Sequence, residues 1–481
     1  MKKFRNKIIV ALTGVMLLGT TSCEKFYDIN QDPANIKDAP LQQLLTSATV
    51  NVGFMGGSDL LRYSSLISQQ FSGQSPGAET QQQQYEKYLI SGSDVNNIWS
   101  NIYATTLTDL DLIISKSNAA NSPHYAGVAK LLKAYIYQVA VDTWGNIPYS
   151  EAHKYTANLA PKYDTAQSIY ASLITLIDEA IVNLNAGTST LSPGANSTIY
   201  SGSFTTTRAN WIKFANTLKL RIFLHYSEQN AAFATDKMNQ LIASNATFFA
   251  ANSDNFEMPF QITAGAQNPI FQFETGSRKL NLVANKTLVD MMNTKVDPRR
   301  ATYFTTVNGA YVGAVGGAAS NPTIYSMIHT YLKGTTGEAP VRLLTFAEYN
   351  FIRAEAALRF GVTGNAQTFF EEGIKASMAA AGVSAADVTT YLAANGTLTG
   401  TNDNKLKQII EEKFVASYGV MIEPWTDWRR TGYPSITKPS NAVVDYIPRS
   451  LFYPQSEIDL NPSNVTQKAG MNVRVFWDTK Q

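Results

Sequence analysis

The eleven residues DTWGNIPYSEA, at positions 142–152, mark the point where a long helical pattern stops and the chain turns. Residues 125–141 before them are apolar nearly all round, which predicts a fully buried helix. Gly145 and Pro148 both oppose continuation of a helix. We therefore interpret 142–152 as a structural turn whose aromatic residues pack, rather than as a site of chemistry.

Helical periodicity continues on both sides of this turn. Asp164 with Gln167 resembles a capping box that begins a helix, and Thr206 or Thr207 is the predicted N-cap of a helix within 205–228. The buried stripes predicted for these two helices are Ile169, Leu173, Leu176, Ile177, Ala180 and Leu184, and Trp211, Phe214, Ala215, Leu218 and Ile222. Further helices are predicted at 39–52, 97–117, 232–243, 282–293 and 404–418.

Residues 345–360 and 364–381 are predicted to form two close-packed helices that resemble a tetratricopeptide unit. Thr345 with Glu348 forms a second capping box, and Gly361 is a suitable C-terminal stop. No clean 34-residue period runs through the chain, so any such repeat is degenerate. Long polar loops separate the helices, and short β segments are predicted near 310–313 and 471–477.

The first 23 residues predict export and lipidation. Four basic residues precede the apolar run from Ile8 to Gly19, and small residues lead to Cys23, the only cysteine in the chain. The apolar run is too short to span a bilayer, which indicates a signal peptide. We predict a lipoprotein signal at 1–22, lipidation of Cys23, a tether at 23–38 and a helical domain at 39–481.

The composition excludes nucleic acid as a partner. Loss of the signal would leave 35 Lys and Arg against 37 Asp and Glu, so the chain lacks the excess of basic residues that is typical of nucleic-acid-binding proteins. Charged residues make up 16% of the sequence, and aromatic residues 11%. A neutral-polar surface rich in aromatic rings suits neutral ligands such as sugars.

The sequence lacks the H-E-x-x-H pattern of zinc proteases and the Walker A pattern of phosphate-binding loops. The four histidines are not spaced as metal ligands, so neither a metal nor a cofactor is expected. A glycosidase needs only two carboxylates that meet in space. An exported all-α glycosidase or lyase therefore remains an alternative, as does a purely structural lipoprotein.

Several motifs together resemble the SusD/RagB family of outer-membrane nutrient-binding lipoproteins. The stretch 142–152 resembles the family signature, and other matching stretches follow in the family's order across nearly the whole mature chain. These stretches are PKYD at 161–164, WIKFANTLKLR at 211–221, DPR at 297–299, YNFIRAEA at 349–356, WTDWRRTGYP at 425–434 and PRSLFYP at 448–454.

The resemblance implies a single, mostly α-helical domain with degenerate tetratricopeptide-like helix pairs and a long-loop ligand face. It also implies a binding protein, not an enzyme, that is anchored to the outer membrane and faces the cell exterior. Its partner would be a SusC-like TonB-dependent transporter, over which it sits as a lid. A glycan is the leading ligand, and a peptide or another nutrient is the RagB-like alternative.

The ligand site is predicted from chemistry and position, because the family motifs do not supply it. Loops 68–103 and 265–331 combine aromatic residues with amides. We predict an aromatic platform that includes Trp99, Tyr85 and Tyr325. The other ligand-binding candidates are Tyr88, Tyr311 and Arg278, the last as a hydrogen-bond donor.

Overall fold

Helices form most of the described chain, which in this computed structural model comprises residues 39–480. Residues 41–481 cluster as one compact unit. The mostly α-helical, single-domain fold is confirmed, whereas the predicted signal, tether and Cys23 lie outside the described residues. Among residues 39–480, no helix combines the length and apolar character needed to cross a bilayer.

A π-helical segment, Asn101–Leu107, joins two of the helices into one continuous rod. The helices are α1 (Leu41–Gly56), α2 (Asp59–Ile67), α3 (Gln81–Glu86), α4 (Asn96–Ser100), α5 (Thr108–Ala119), α6 (Pro123–Trp144), α7 (Ala166–Leu184), α8 (Phe204–Tyr226), α9 (Ala231–Ala243), α10 (Pro269–Thr275), α11 (Lys286–Thr294), α12 (Arg300–Tyr303), α13 (Thr330–Lys333), α14 (Phe346–Phe360), α15 (Ala366–Ala380), α16 (Ala385–Asn395), α17 (Asn402–Ala416), α18 (Glu423–Thr431) and α19 (Gln455–Leu460).

Short strands between the helices form two-stranded antiparallel ladders: β1 (Phe71–Gly73) with β5 (Leu282–Ala284), β2 (Ile147–Pro148) with β3 (Tyr163–Asp164), and β4 (Phe256–Met258) with β6 (Val341–Leu344). The β segments predicted at 310–313 and 471–477 are wrong. Ala310 forms only an isolated bridge with Val307. Segment 471–477 is irregular, with the Met471 carbonyl accepting from the chain at 449–450.

The signature at 142–152 is a packed turn, as predicted. Helix α6 is buried over most of its length and ends at Gly145, whose φ of +84° favours glycine. The Trp144 indole donates to the Phe452 carbonyl at 2.9 Å. The Asp142 carboxylate accepts from the Tyr170 hydroxyl and, at 2.7 Å, from the Trp477 indole. The turn therefore ties α6 to α7 and to the C-terminal segment.

The capping box predicted at Asp164 is wrong, because α7 is capped by Thr165, which accepts from the Ser168 amide. Asp164 instead accepts from the amides of Tyr149 and Ser150, at 3.0 and 2.7 Å, where β3 pairs with the signature turn. The predicted apolar stripe of α7 is buried, except for the half-buried Leu176.

Helix α8 begins before its predicted cap. Ser203 precedes the first helical residue, and the hydroxyls of Thr206 and Thr207 donate back to its carbonyl. The predicted face of α8, including Trp211, is fully buried. The helix predicted at 282–293 begins later than expected. Residues 282–284 pair as β5, and Asn285 caps α11.

The predicted helix pair is confirmed as α14 and α15. Thr345 accepts from the Glu348 amide at 3.1 Å, and Gly361 ends α14 with φ +65°. The ring of Phe351 packs on α15, where a Cβ at Gly373 would lie 2.8 Å from it. Close approach of the two helices thus requires the glycine.

Several ion pairs are buried in the core. Glu348 accepts two bonds from Arg221, at 2.8 and 2.7 Å, and Glu355 accepts two from Arg430, at 2.5 and 2.7 Å. All four side chains are buried. Arg429, next to Arg430 on α18, donates instead to the carbonyls of Asp142 and Arg449.

Candidate ligand-binding site

The structure buries three of the aromatic residues predicted to bind ligand. Tyr85 packs on Tyr63, with 4.4 Å between ring centroids, and its hydroxyl donates to Asp94 at 3.1 Å. Tyr88 is 1% exposed. Trp99 is also buried, and its indole donates to Glu457 at 3.2 Å. Burial raises the pKa of both Tyr85 and Tyr88 above the usual value of a phenol.

The remaining candidates lie nearer the surface. Tyr311 and Tyr325 are half-buried, and the guanidinium of Arg300 lies 5.1 Å from the Tyr311 ring centroid. Arg278 is exposed. Among the residues that the structure describes, no ring contact joins Trp99, Tyr85 and Tyr325 into one platform. Direct ligand contact by these residues stays a prediction.

Arg278 lies in a cleft that brings an exposed ring beside polar groups. We call it the Phe273 cleft, after the half-buried ring at its centre. Its volume is about 340 Å³, and Phe54 at its rim is 42% exposed. The lining residues used below are Phe54, Asp59, Arg62, Asn101, Phe273 and Arg278.

Local sequence sets the width of the Phe273 cleft. The Asn268 carboxamide oxygen caps α10 by accepting from the amides of Ile270 and Phe271, and Pro269 is the first helical residue. A Cβ at Gly57 would lie 2.5 Å from the Pro269 side chain. The turn between α1 and α2 can approach α10 only because residue 57 is glycine.

Two guanidinium groups lie against the central ring of this cleft. The guanidinium carbon of Arg62 is 4.5 Å from the Phe273 ring centroid, and that of Arg278 is 5.6 Å away. Arg62 also pairs with Asp59 on the same helix. Despite this pairing, burial lowers the pKa of Arg62, and the charge of Arg278 adds to that effect.

A second groove, of about 410 Å³, adjoins the same helical rod. Its floor is the ring pair of Trp99 and Tyr103, with centroids 4.4 Å apart, and Leu159 at its rim is 80% exposed. Asn101 faces the Phe273 cleft and Tyr103 faces this groove, so the π-helical segment contributes to both. Wide helical turns of this kind recur at functional sites.

The geometry of these two cavities does not form a glycosidase pair. Asp59 is the one carboxylate lining the Phe273 cleft, and Glu457 is the one lining the second groove. Glu457 accepts from the Trp99 indole and, at 3.0 Å, from the Tyr163 hydroxyl. A two-carboxylate mechanism needs a second acid beside each.

One cluster of described residues has metal-ligand geometry: Asp142, His225 and Glu423. Asp142 already accepts from its indole and phenol donors, and Arg221 lies 3.5 Å from Glu423. Burial acts to lower the pKa of His225, but the two carboxylates outweigh it and raise that pKa. The protein itself thus supplies positive charge to these carboxylates. We interpret the cluster as part of the network of buried ion pairs.

Comparison with known proteins agrees with this fold. A family model described as "SusD-like: Starch-binding associating with outer membrane" matches residues 33–454. The chain belongs to the SusD-like family. No curated protein sequence matches it.

Three solved structures resemble this SusD-like protein over nearly their whole length. One named a chitin-binding protein is 26% identical, covers 92% of this chain and 98% of its own, and has a TM-score of 0.77. A chitin-binding SusD homolog from Flavobacterium johnsoniae is 22% identical over 92% and 99%, with a TM-score of 0.76. A SusD-like protein from Bacteroides thetaiotaomicron is 24% identical over 92% and 99%, with a TM-score of 0.77.

Of the residues that line the Phe273 cleft in this SusD-like protein, the sequence predicted a ligand contact only for Arg278. A signal for Phe54 existed: it lies on α1 outside the buried stripe, which includes Leu45, Ala48 and Val52. This signal is weak, because single apolar residues are common on protein surfaces. Phe273 gave no such signal, because α10 is short.

Proposed function

We propose that this SusD-like protein captures a glycan at the cell surface and passes it, uncleaved, to a SusC-like TonB-dependent transporter. The observation that carries the proposal is the Phe273 cleft, where an exposed aromatic ring stands beside an amide and guanidinium groups. Family membership supports a glycan as the ligand, because the family model is described as starch-binding. The name of the 26% identical structure supports it as well.

Phe54 is the residue on which a sugar can stack. Burial of one sugar face against a ring contributes on the order of 1–2 kcal/mol at about 25 cal/mol per Å². Asn101, exposed at the same cleft, supplies an amide for sugar hydroxyls. Stacking and amide hydrogen bonds together are the usual means of holding a neutral sugar ring without chemistry.

We expect Phe54→Ala to weaken glycan binding about tenfold, which corresponds to about 1.4 kcal/mol. The melting temperature should change little, because the ring is 42% exposed. The measurement is a binding screen of glycans and peptides with soluble protein beginning at residue 24, followed by calorimetry on the best ligand.

A matched control for this prediction is Phe233→Ala, which removes an equally exposed ring (41%) from α9. It should leave affinity unchanged. Equal losses in both variants, or a peptide as the only ligand found, would contradict the glycan site. Products that accumulate during incubation would contradict a purely binding role.

The lipid anchor at Cys23 is proposed from the sequence, and membership in a family associated with the outer membrane supports it. We expect Cys23→Ala to abolish labelling with a fatty-acid probe and to release the protein from membranes, because only a thiol forms the lipid thioether. Membrane fractionation of wild type and variant measures this. Wild-type retention of the variant would show that another segment provides the anchor.

A further inference from the structure

The Phe273 cleft carries more positive charge than a neutral sugar needs. Arg62 and Arg278 both place a guanidinium group against the same ring, and Asp59 is the one acidic residue that lines the cleft. The mature chain predicted from the sequence has a slight excess of acidic residues, so this local excess of positive charge is not a general property of the protein. It is a feature of the cleft.

Asp59 satisfies only one of the two guanidinium groups. It pairs with Arg62 one helical turn away, and the Arg62 side chain is 12% exposed. Two like charges held close together in a partly buried site raise the free energy of the empty cleft. Burial is the main cause of the lowered pKa of Arg62, and the charge of the nearby Arg278 adds to it. An additional negative group would relieve this repulsion.

Arg278 offers the free donors for such a group. Among residues 39–480, no carboxylate lies within ion-pair distance of its guanidinium, which contacts the ring of Phe273. The planar guanidinium matches a carboxylate with two parallel hydrogen bonds. The Phe273 ring lies 5.6 Å from this guanidinium, so the exposed donors of Arg278 stand beside an aromatic face.

We propose that the Phe273 cleft selects an acidic glycan, with a uronic acid carboxylate paired to Arg278 and the sugar face on Phe54. This inference rests on the proposed function, because it names the ligand class of the same site. Arg62 completes the positive wall, and Asn101 takes the hydroxyls of the neighbouring sugar. The site then discriminates by charge as well as by stacking.

Calorimetry with oligosaccharides of equal length tests the proposal. The probes are a panel of oligouronates (galacturonate, glucuronate-containing and mannuronate oligomers) and neutral chito- and malto-oligosaccharides. We expect the best oligouronate to bind at least tenfold more tightly than any neutral oligomer. That preference should shrink when salt rises from 20 to 200 mM, since screening weakens an exposed ion pair.

Two variants locate the effect. Arg278→Gln should weaken oligouronate binding at least tenfold, while binding of neutral oligomers stays within twofold. Lys279→Gln makes the same charge change at the next residue, which does not line the cleft, and should leave both affinities near wild type. Equal losses from the two variants would show a general charge effect and overturn the proposal.

Failure of this inference differs from failure of the proposed function. A neutral oligomer that binds as tightly as any oligouronate, and that depends on Phe54, would overturn acidic selectivity and leave glycan capture intact. Absence of binding to every oligosaccharide in both groups would overturn both.

Discussion

Replacement of Arg430 by methionine should lower the free energy of unfolding by about 3–5 kcal/mol. Arg430 is fully buried and donates two hydrogen bonds to Glu355 and one, at 2.9 Å, to Asp427. Its removal leaves carboxylates in the core without their main partner. The pairing also holds the pKa of Glu355 at about 2, against burial that would raise it. Chemical denaturation at pH 7 measures the loss.

The matched control is Arg359→Met, because Arg359 binds the same Glu355 at 2.7 Å but is 23% exposed. Arg359→Met should lower the free energy of unfolding by clearly less, since water can replace the hydrogen-bond donors of this side chain. The double variant Arg430→Met with Glu355→Gln should recover part of the stability by removing the stranded charge. A cost below 1 kcal/mol for Arg430→Met, or equal costs for both arginines, would show that the pair does not sustain the core.

Glu274→Gln should stabilise the protein above neutral pH by about 1–3 kcal/mol. Burial raises the pKa of Glu274 to about 7 in the folded state, and the charge of Lys333 only partly offsets this. One of its carboxylate oxygens is buried without a hydrogen-bond partner. Between the unfolded pKa near 4.5 and pH 7, the unfolded chain releases this proton and the folded chain keeps it. Its contribution to stability therefore falls as pH rises.

The measurement is the free energy of unfolding of both proteins from pH 4 to 8. The difference between variant and wild type should be near its minimum at pH 4, grow through pH 4.5–7 and then level off. Glu372→Gln, a change at a half-exposed glutamate on α15, serves as the comparison. A pH-independent difference for Glu274→Gln would rule out this titration as its cause.

The sequence predicted elements whose buried residues recur at regular spacing. The faces of α7 and α8 and the α14–α15 pair were predicted because an apolar residue recurs at every third or fourth position along one face. The spacing of apolar residues did not predict α18, because this helix is buried over its full length yet contains Asp427 and two arginines. Hydropathy assigns such a segment to the surface. Its partners, such as Glu355, lie far away in sequence and are unknown until the chain is folded.

The aromatic residues of loop 68–103 show a similar limit. Residues 81–84 looked like a loop rich in glutamine, but they form α3, which holds Tyr85 against the core. Thr80 and Gln83 form the capping box of this helix, so a local signal was present in the sequence. The Phe273 cleft, by contrast, needs α1, α2, the π-helical segment and α10 together, and no single stretch of sequence contains it.

The hydrogen bonds of Asp142 also limit how early during synthesis the fold can be completed. The Asp142 carboxylate can accept the hydrogen bond from Trp477 only after a further 335 residues have been synthesised. A ribosome adds roughly 5–20 residues per second, so the partner arrives at least about 15 seconds later. Throughout that interval α6 lacks one of its tethers, and the nascent polypeptide remains accessible to chaperones.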